Sequence, residues 1–154
     1  MNDDFEEIVE RYRKMVYGIA LTHTGNKCDA DDVFQETFLI CYQKYNTLRD
    51  EEHCKAWLIR TTMNVSKRYT SSLWKKRVTL FGEDSREAQY MFESVEESEL
   101  FDKLRKLPEK YRIAIQLFYM EELKISEIAD ILKISVSAVK VRLSRGRSML
   151  KMKL

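Results

Sequence analysis

The scarcity of glycine and proline is the feature that most limits what this chain can fold into. Four glycines and one proline stand among 154 residues. Sheet proteins turn the backbone often, and tight turns draw heavily on these two residue types. Apolar residues make up 44% and charged residues 34%, which is typical of a globular protein rather than a disordered one. The composition therefore predicts an all-α fold of helices joined by short polar loops.

Apolar residues at three- and four-residue spacing predict three helices in the amino-terminal half. The predicted ranges are residues 4–24, 29–45 and 53–74. Asp29 is the expected N-cap of the second helix, and Gly25 lies in a stop signal after the first. The apolar face of the second helix is predicted to contain Val33, Phe34, Thr37, Phe38, Cys41, Tyr42 and Tyr45.

The periodicity fails at residues 75–97, where a basic stretch gives way to an acidic run. We expect a flexible linker there, between two small helical domains at residues 1–74 and 98–154. Pro108 is predicted at the first position of a helix, where its missing N–H costs nothing. Two further helices are expected at residues 126–132 and 135–151, with Ser126 and Ser135 as their N-caps.

The charges form two basic islands on an acidic background. Residues 61–80 carry five basic and no acidic groups, and residues 135–154 carry six basic and none acidic. Residues 1–60 and 81–134 have net charges of −4 and −5. Separate cationic patches suggest two contacts with a polyanion. Two solvated helix ends would look the same, because Lys and Arg favour helix carboxyl termini.

Residues 126–151 have the layout of a helix-turn-helix, with Val139 and Leu143 facing inward from its second helix. The outward face of that helix carries Lys140, Arg142, Arg145 and Arg147. In such motifs the second helix enters the major groove of DNA, and basic groups neutralise phosphates. Small Ser137 and Ala138 would let the helix approach closely. An ordinary helical hairpin with a basic outer face is the alternative.

The sequence gives no sign of an enzyme, a cofactor or a metal site. It contains no Ser/His/Asp arrangement, metal-ligand spacing or glycine-rich phosphate loop. Cys28, Cys41 and Cys54 lack CxxC spacing and are expected to be buried thiols. No run of 18 apolar residues and no signal-peptide layout occurs, so we expect a cytoplasmic protein without membrane insertion.

Three segments together resemble the extracytoplasmic-function (ECF) group of sigma-70 family sigma factors. Residues 29–38 (DADDVFQETF) resemble the family's DAxDxxQExF helix. Residues 55–60 (KAWLIR) with Asn64 resemble its AWLxxIxxN segment. Its domain-four pattern is matched by residues 107–112 (LPEKYR), 127–129 (EIA) and 139–145 (VKVRLSR). The resemblance extends over nearly the whole chain.

The resemblance implies a sigma factor that binds bacterial RNA polymerase core and promoter DNA, and that an anti-sigma factor restrains. The implied core polymerase contacts are Asp32, Gln35, Glu36 and Phe38. The implied contacts with a melted minus-ten element are Trp57, Arg60, Thr61, Asn64, Lys67 and Arg68. For Trp57 itself we favour the alternative role of a core aromatic. The implied minus-thirty-five contacts are Ser137, Ala138, Lys140, Val141, Arg142, Ser144, Arg145 and Arg147.

The chain departs from the family's pattern at several positions. Arg68 and Ser71 stand where many members have Asp and Arg, which weakens the assignment of single minus-ten contacts. Gly146 stands where Ala is frequent and costs about 1 kcal/mol in a helix interior. We therefore expect the last turns of this helix to fray and Arg147 to be mobile. The rival functions are a free-standing dimeric helix-turn-helix regulator and a helical interaction protein with no nucleic-acid role.

Overall fold

The structure is a computed structural model that describes residues 4–69 and 95–152, and the regular elements in these ranges are helical. The chain divides into two units, Met1–Ser85 and Arg86–Leu154. The first unit contains α1 (Phe5–Thr24), α2 (Lys27–Lys44) and α3 (Glu51–Tyr69). The second contains α4 (Val95–Arg105), α5 (Glu109–Ile115), α6 (Ile125–Leu132) and α7 (Val136–Met152). The predicted all-α class with two helical bodies is confirmed.

Most of the predicted linker lies outside the described residues. Residues 75–94 and the end of the third predicted helix, residues 70–74, lie outside the described residues. Residues 95–97 were expected in the linker but belong to α4, which begins at Val95. Apolar periodicity does not locate the first turn of a helix, because residues of that turn are often polar.

The first unit is held together by the apolar stripe of α1, which packs against α2 and α3. Ile8, Val16 and Ile19 of this stripe are fully buried. The helix begins where Asp4 Oδ1 accepts a hydrogen bond from the Glu7 N–H at 2.9 Å. It ends at Gly25, whose φ of 82° lies in the left-handed region that favours glycine. The stop signal is therefore confirmed.

The N-cap of α2 is Asn26 rather than Asp29. The Asn26 side chain accepts a hydrogen bond from the Asp29 N–H at 2.8 Å, so the helix starts directly after the Gly25 turn. Asp29 lies buried in the first turn, where its carboxylate accepts from Asn26 Nδ2 at 2.9 Å. Both residues are good caps, and the position of the preceding turn decides between them.

The loop before α3 is shorter than predicted. A 3-10 turn at Tyr45–Thr47 continues from α2, and the following Leu48 is buried. Asp50 then caps α3, because its Oδ1 accepts from the His53 N–H at 2.8 Å. The helix consequently begins two residues before the predicted His53.

In the second unit, α5 is followed by a π-helical turn at Gln116–Met120 that the sequence did not indicate. The Glu121 N–H bonds to the Gln116 carbonyl at 3.1 Å, five residues back. Pro108 is the N-cap of α5 and not its first residue, since the Arg112 N–H bonds to its carbonyl at 3.0 Å.

The helix-turn-helix is formed by α6, α7 and the turn between them. The N-cap of α6 is Lys124 rather than the expected Ser126, and the Glu127 carboxylate accepts from the Lys124 N–H at 2.9 Å. Lys133 makes the turn with a positive φ of 59°. Ser135 caps α7 as predicted, because its Oγ accepts from the Ala138 N–H at 3.0 Å.

Gly146 permits close contact between α7 and α5. It is buried, and a Cβ placed on it would lie 2.9 Å from Ile115 Cγ1 and 3.1 Å from Ile115 Cδ1. Leu143 and Val139, one and two turns earlier, are also buried. The helix is not interrupted at Gly146, since α7 continues to Met152. The missing side chain allows packing that offsets its cost in helix propensity.

Within the two described ranges, none of the helices combines the length and the apolar character that a membrane crossing requires.

We predict that Gly146→Ala lowers the stability of the second unit by about 1–2 kcal/mol, although Ala is the better helix former by about 1 kcal/mol. The added methyl group would overlap the Ile115 side chain. The measurement is thermal or urea unfolding of the full chain. Ser148→Ala, at an exposed site on the same helix, is the control and should be neutral or slightly stabilising. A raised midpoint for Gly146→Ala would contradict the packing described for α7.

Candidate functional site

The outward face of α7 is a polar and basic surface. Six of the eight predicted minus-thirty-five residues are exposed, namely Ser137, Lys140, Val141, Ser144, Arg145 and Arg147. Ala138 and Arg142 are half-buried at the side of the helix. Asp130 is the last acidic residue in the chain, so the helix has no carboxylate of its own. Exposed Ser148, which the sequence analysis did not select, lies on this face four residues after Ser144.

Two tyrosines contact arginines of α7. Arg147 Nη1 donates a hydrogen bond to the hydroxyl of Tyr119, at 2.9 Å. Hydrogen bonding with Arg145 lowers the pKa of Tyr111, and the charge of Lys110 acts in the same direction. Tyr119 is 48% exposed, whereas Tyr111 is buried. Arg147, which was expected to be mobile, therefore has a hydrogen-bond partner on the π-helical turn.

The predicted minus-ten residues lie along α3 but differ in exposure. Asn64, Lys67 and Arg68 are exposed, while Trp57, Arg60 and Thr61 are half-buried. Trp57 is therefore neither a fully buried core aromatic nor an open stacking platform. The basic and amide groups that reach solvent concentrate in the last two turns of the described helix.

An ion pair joins the predicted polymerase contacts on α2 to the predicted minus-ten contacts on α3. Arg68, from the minus-ten set on α3, donates to Glu36, from the polymerase set on α2. This hydrogen bond raises the pKa of Arg68. Burial raises the pKa of the neighbouring Tyr69, and the charges of Asp32 and Glu36 add to the effect. The carboxyl-terminal end of α3 therefore lies beside the acidic face of α2.

The polymerase set on α2 is corrected at one position. Asp32 and Gln35 are exposed and Glu36 is half-buried, so these side chains are open to a partner. Phe38 is only 5% exposed, and its ring packs on Phe34 with a centroid distance of 4.9 Å. It supports the helix from inside and offers no surface to a partner.

The structure adds two apolar residues to the exposed face of α2. Leu39 is 66% exposed and Tyr42 is 61% exposed. Tyr42 was expected to be buried, but it remains largely exposed while its ring forms a T-shaped pair with Phe5, at a centroid distance of 5.1 Å. Leu39 follows Gln35 by four residues and Tyr42 follows it by seven, so the three side chains share one side of the helix. The exposure of Tyr42 was not visible in the sequence, where this position fits the predicted apolar face, whereas Leu39 lies outside that face.

The cysteines do not share one environment. Cys41 and Cys54 are buried as expected, but Cys28 is exposed. Among the described residues, Cys28, Asp29 and Asp32 place potential metal-ligand atoms within 4.8 Å of one another. Asp29 already binds the Asn26 side chain at the start of α2. Exposed carboxylates often meet in this way, so the cluster does not by itself identify a metal site.

Both halves of the chain match known families. Residues 8–76 match the family described as Sigma-70 region 2. Residues 98–150 match the family described as Sigma-70, region 4.

Curated proteins similar to this chain include two from Bacillus subtilis (strain 168). ECF RNA polymerase sigma factor SigM is 34% identical over 152 residues, which cover 95% of this chain and 92% of that protein. ECF RNA polymerase sigma factor SigW is 29% identical over 170 residues, which cover 99% of this chain and 89% of that protein.

Two solved structures share the fold. The sigma factor RpoE of Bartonella quintana, in complex with the anti-sigma factor NepR, has a TM-score of 0.72 at 21% identity, covering 97% of this chain and 95% of that chain. CnrH, in complex with the cytosolic domain of CnrY, has a TM-score of 0.70 at 23% identity, covering 96% of this chain and 85% of that chain. At these identities the similarity establishes the fold alone.

We predict that the native chain has one fast-reacting thiol, Cys28, because it is exposed. Burial raises the pKa of Cys41 to about 12, so its reactive thiolate is scarce near pH 8. The measurement is a time course with a thiol-specific chromogenic reagent, with and without denaturant. Cys28→Ser should abolish the fast phase, and Cys41→Ser should leave it unchanged. A fast phase that survives Cys28→Ser would contradict the burial of the other two thiols.

Proposed function

Because this chain belongs to the ECF sigma factors of the sigma-70 family, we propose that it binds bacterial RNA polymerase core and directs it to promoters through two DNA elements. Residues 1–74 would bind polymerase and the minus-ten element. Residues 98–154 would bind the minus-thirty-five element, and residues 75–97 would link the two. The protein would act in the cytoplasm, where polymerase is found.

The observation that supports the DNA-reading role best is the basic outer face of α7 on a rigidly packed helix. We propose that α7 enters the major groove, where Lys140, Val141, Ser144 and Arg145 meet base edges. Ser137 and Ala138 have small side chains, so the amino-terminal turn can approach the bases closely. Arg142 and Arg147 would contact phosphates, which position the helix but do not specify sequence.

In the first unit we propose that Asp32, Gln35 and Glu36 bind the polymerase, with Leu39 and Tyr42 adding apolar contact. Exposed large apolar side chains beside polar ones are typical of interaction surfaces. Phe38 is withdrawn from this set because it is buried.

We propose that Asn64, Lys67 and Arg68, with half-buried Trp57, Arg60 and Thr61, contact melted minus-ten DNA. Basic groups beside an aromatic ring suit single strands, whose bases stack and whose phosphates need cations. Arg68 is bound to Glu36 in the chain alone, so it would contact DNA only after leaving that carboxylate. An exposed ion pair is worth about 0–1 kcal/mol, which makes this exchange inexpensive.

We also propose an anti-sigma factor as a partner. The Bartonella quintana sigma factor described above was solved with such a protein bound. A masking partner would have to cover the exposed surfaces of α2 or α7, which are the two faces proposed to act in transcription.

The central experiment is reconstituted transcription with the purified chain, bacterial core polymerase and a pool of genomic fragments. Start sites that depend on the added chain and share two spaced motifs are the expected result. A chain that leaves core polymerase inactive on every fragment but binds palindromic duplex DNA by itself would instead be a free-standing dimeric regulator.

We predict that Asp32→Asn lowers the affinity for core polymerase about tenfold, the loss typical of one hydrogen bond to a charged group. The measurement is equilibrium binding of labelled chain to core polymerase. Glu10→Gln is the matched control, because Glu10 is an exposed carboxylate on α1, outside the proposed surface. Equal affinities for Asp32→Asn and Glu10→Gln would remove Asp32 from the polymerase surface.

We predict that Arg145→Ala relaxes the upstream sequence preference by about 1–3 kcal/mol, the discrimination that a bidentate base contact provides. The measurement is transcription from a promoter library with a randomised upstream element. Arg142→Ala is the comparison and should weaken all upstream sequences alike, as a phosphate contact does. An unchanged preference in Arg145→Ala would move Arg145 from the base contacts to the phosphate contacts.

A further inference from the structure

Tyr119 has no role in any of the surfaces assigned above, yet its environment is unusual. It is a large aromatic residue that is 48% exposed, on a π-helical turn in the unit that carries α7. Residues Gln116 and Leu117 of the same turn are fully buried and anchor it. Single π-helical turns within helices occur frequently at functional sites.

The π-helical turn directs the Tyr119 ring towards α7. The backbone hydrogen bond of this turn spans five residues instead of the four of an α-helix, as shown by the Glu121-to-Gln116 bond of 3.1 Å. The Tyr119 ring is held edge-on by Phe118, at a centroid distance of 4.9 Å and an angle of 83°. Its hydroxyl then lies 2.9 Å from Nη1 of Arg147. The aromatic ring and the guanidinium therefore hold each other in place at the surface.

The hydrogen bonding of this pair leaves donors available for an anion. Arg147 donates to the tyrosine oxygen, so the Tyr119 O–H proton is left to donate elsewhere. The guanidinium has five N–H donors and uses one of them on Tyr119. Both side chains are exposed, and the chain has no acidic residue after Asp130. A phosphate oxygen is an acceptor that can take hydrogen bonds from both groups at once.

The position of the pair on α7 fits the edge of a DNA groove. Lys140, Ser144 and Arg147 follow i, i+4 and i+7 spacing, so they share one side of the helix. Arg147 lies two turns, or about 10 Å, beyond Lys140 along the axis. When the first turns of a recognition helix meet base edges, its later turns pass beside the sugar-phosphate backbone.

We propose that Tyr119 and Arg147 form a clamp for one backbone phosphate of the duplex at the upstream promoter element. The clamp rests on the proposed placement of α7 in the major groove, and it makes Tyr119 a DNA-binding residue from outside the helix-turn-helix. Tyr119 supplies one neutral hydrogen bond and fixes the guanidinium of Arg147, which supplies the charge. Such a contact adds affinity without sequence preference.

The test is the binding of holoenzyme, assembled from the full chain and core polymerase, to a duplex that carries the upstream motif found by transcription. A series of probes replaces one phosphate at a time by a neutral methylphosphonate. Tyr119→Phe should weaken binding to the unmodified probe about two- to tenfold, the range of one net hydrogen bond. For one probe in the series, the methylphosphonate should reduce the affinity of Tyr119→Phe less than it reduces the affinity of the wild-type chain.

Two variants make the result specific to the clamp. Tyr119→Phe combined with Arg147→Ala should lose less affinity than the two single losses added together, because part of the effect of Tyr119 is to fix the Arg147 guanidinium. Tyr111→Phe is the matched control, since Tyr111 also contacts an arginine of α7 but is only 7% exposed. It should keep the full sensitivity at the phosphate that Tyr119→Phe affects.

The outcomes separate the clamp from the proposed function. If the wild-type chain directs core polymerase to the motif and Tyr119→Phe binds every probe as tightly as wild type, the clamp is wrong and the sigma function stands. If Tyr119→Phe and Arg147→Ala lose affinity additively, the two side chains act on separate targets and the clamp is again wrong. If no probe binds in a core-dependent manner, both proposals fail.

Discussion

The contact between Gly146 of α7 and Ile115 of α5 fixes the rotation of α7 about its own axis. A Cβ at position 146 would lie 2.9 Å from the Ile115 side chain, so Ile115 packs directly against the backbone of α7 at Gly146. Val139 and Leu143 extend the same buried stripe towards the amino terminus of α7. The stripe leaves Val141 and Ser144 facing outward, so the surface proposed to bind DNA follows from how the opposite side of α7 is packed.

Much of this arrangement could be predicted from the sequence, because burying one apolar stripe per helix leaves few choices. The stripes of α1 and α7, the Gly25 stop signal and the Ser135 cap all follow from spacing and residue type. Features that depend on competing local contacts could not be predicted. Asn26 and Asp29 are residue types with similar capping preference, so the sequence does not decide which of them caps α2. Tyr42 fits the apolar stripe of α2 by spacing but is largely exposed in the structure. The contact of Tyr119 with Arg147 depends on a π-helical turn that leaves no periodic signal.

The ion pair between Glu36 and Arg68 changes how the first unit is understood. The sequence separates these residues by more than thirty positions and assigns them to different partners. In the structure the Glu36 carboxylate and the Arg68 guanidinium bind each other, and these are the same groups that are proposed to contact polymerase and DNA. If polymerase bound the Glu36 carboxylate, the Arg68 guanidinium would lose its ion-pair partner and could bind a DNA phosphate. Binding at one surface would then prepare the other with no change in helix packing.

The π-helical turn at Gln116–Met120 also makes the spacing of the second unit sensitive to chain length. The π-helical turn contains one residue more than an α-helical turn. This extra residue rotates the residues that follow it by about 100° relative to an uninterrupted helix. A one-residue deletion there would restore regular α-helix and carry the Tyr119 ring away from Arg147. In this unit insertions and deletions would therefore matter more than most substitutions, and homologous chains that differ by one residue here would present different side chains to α7.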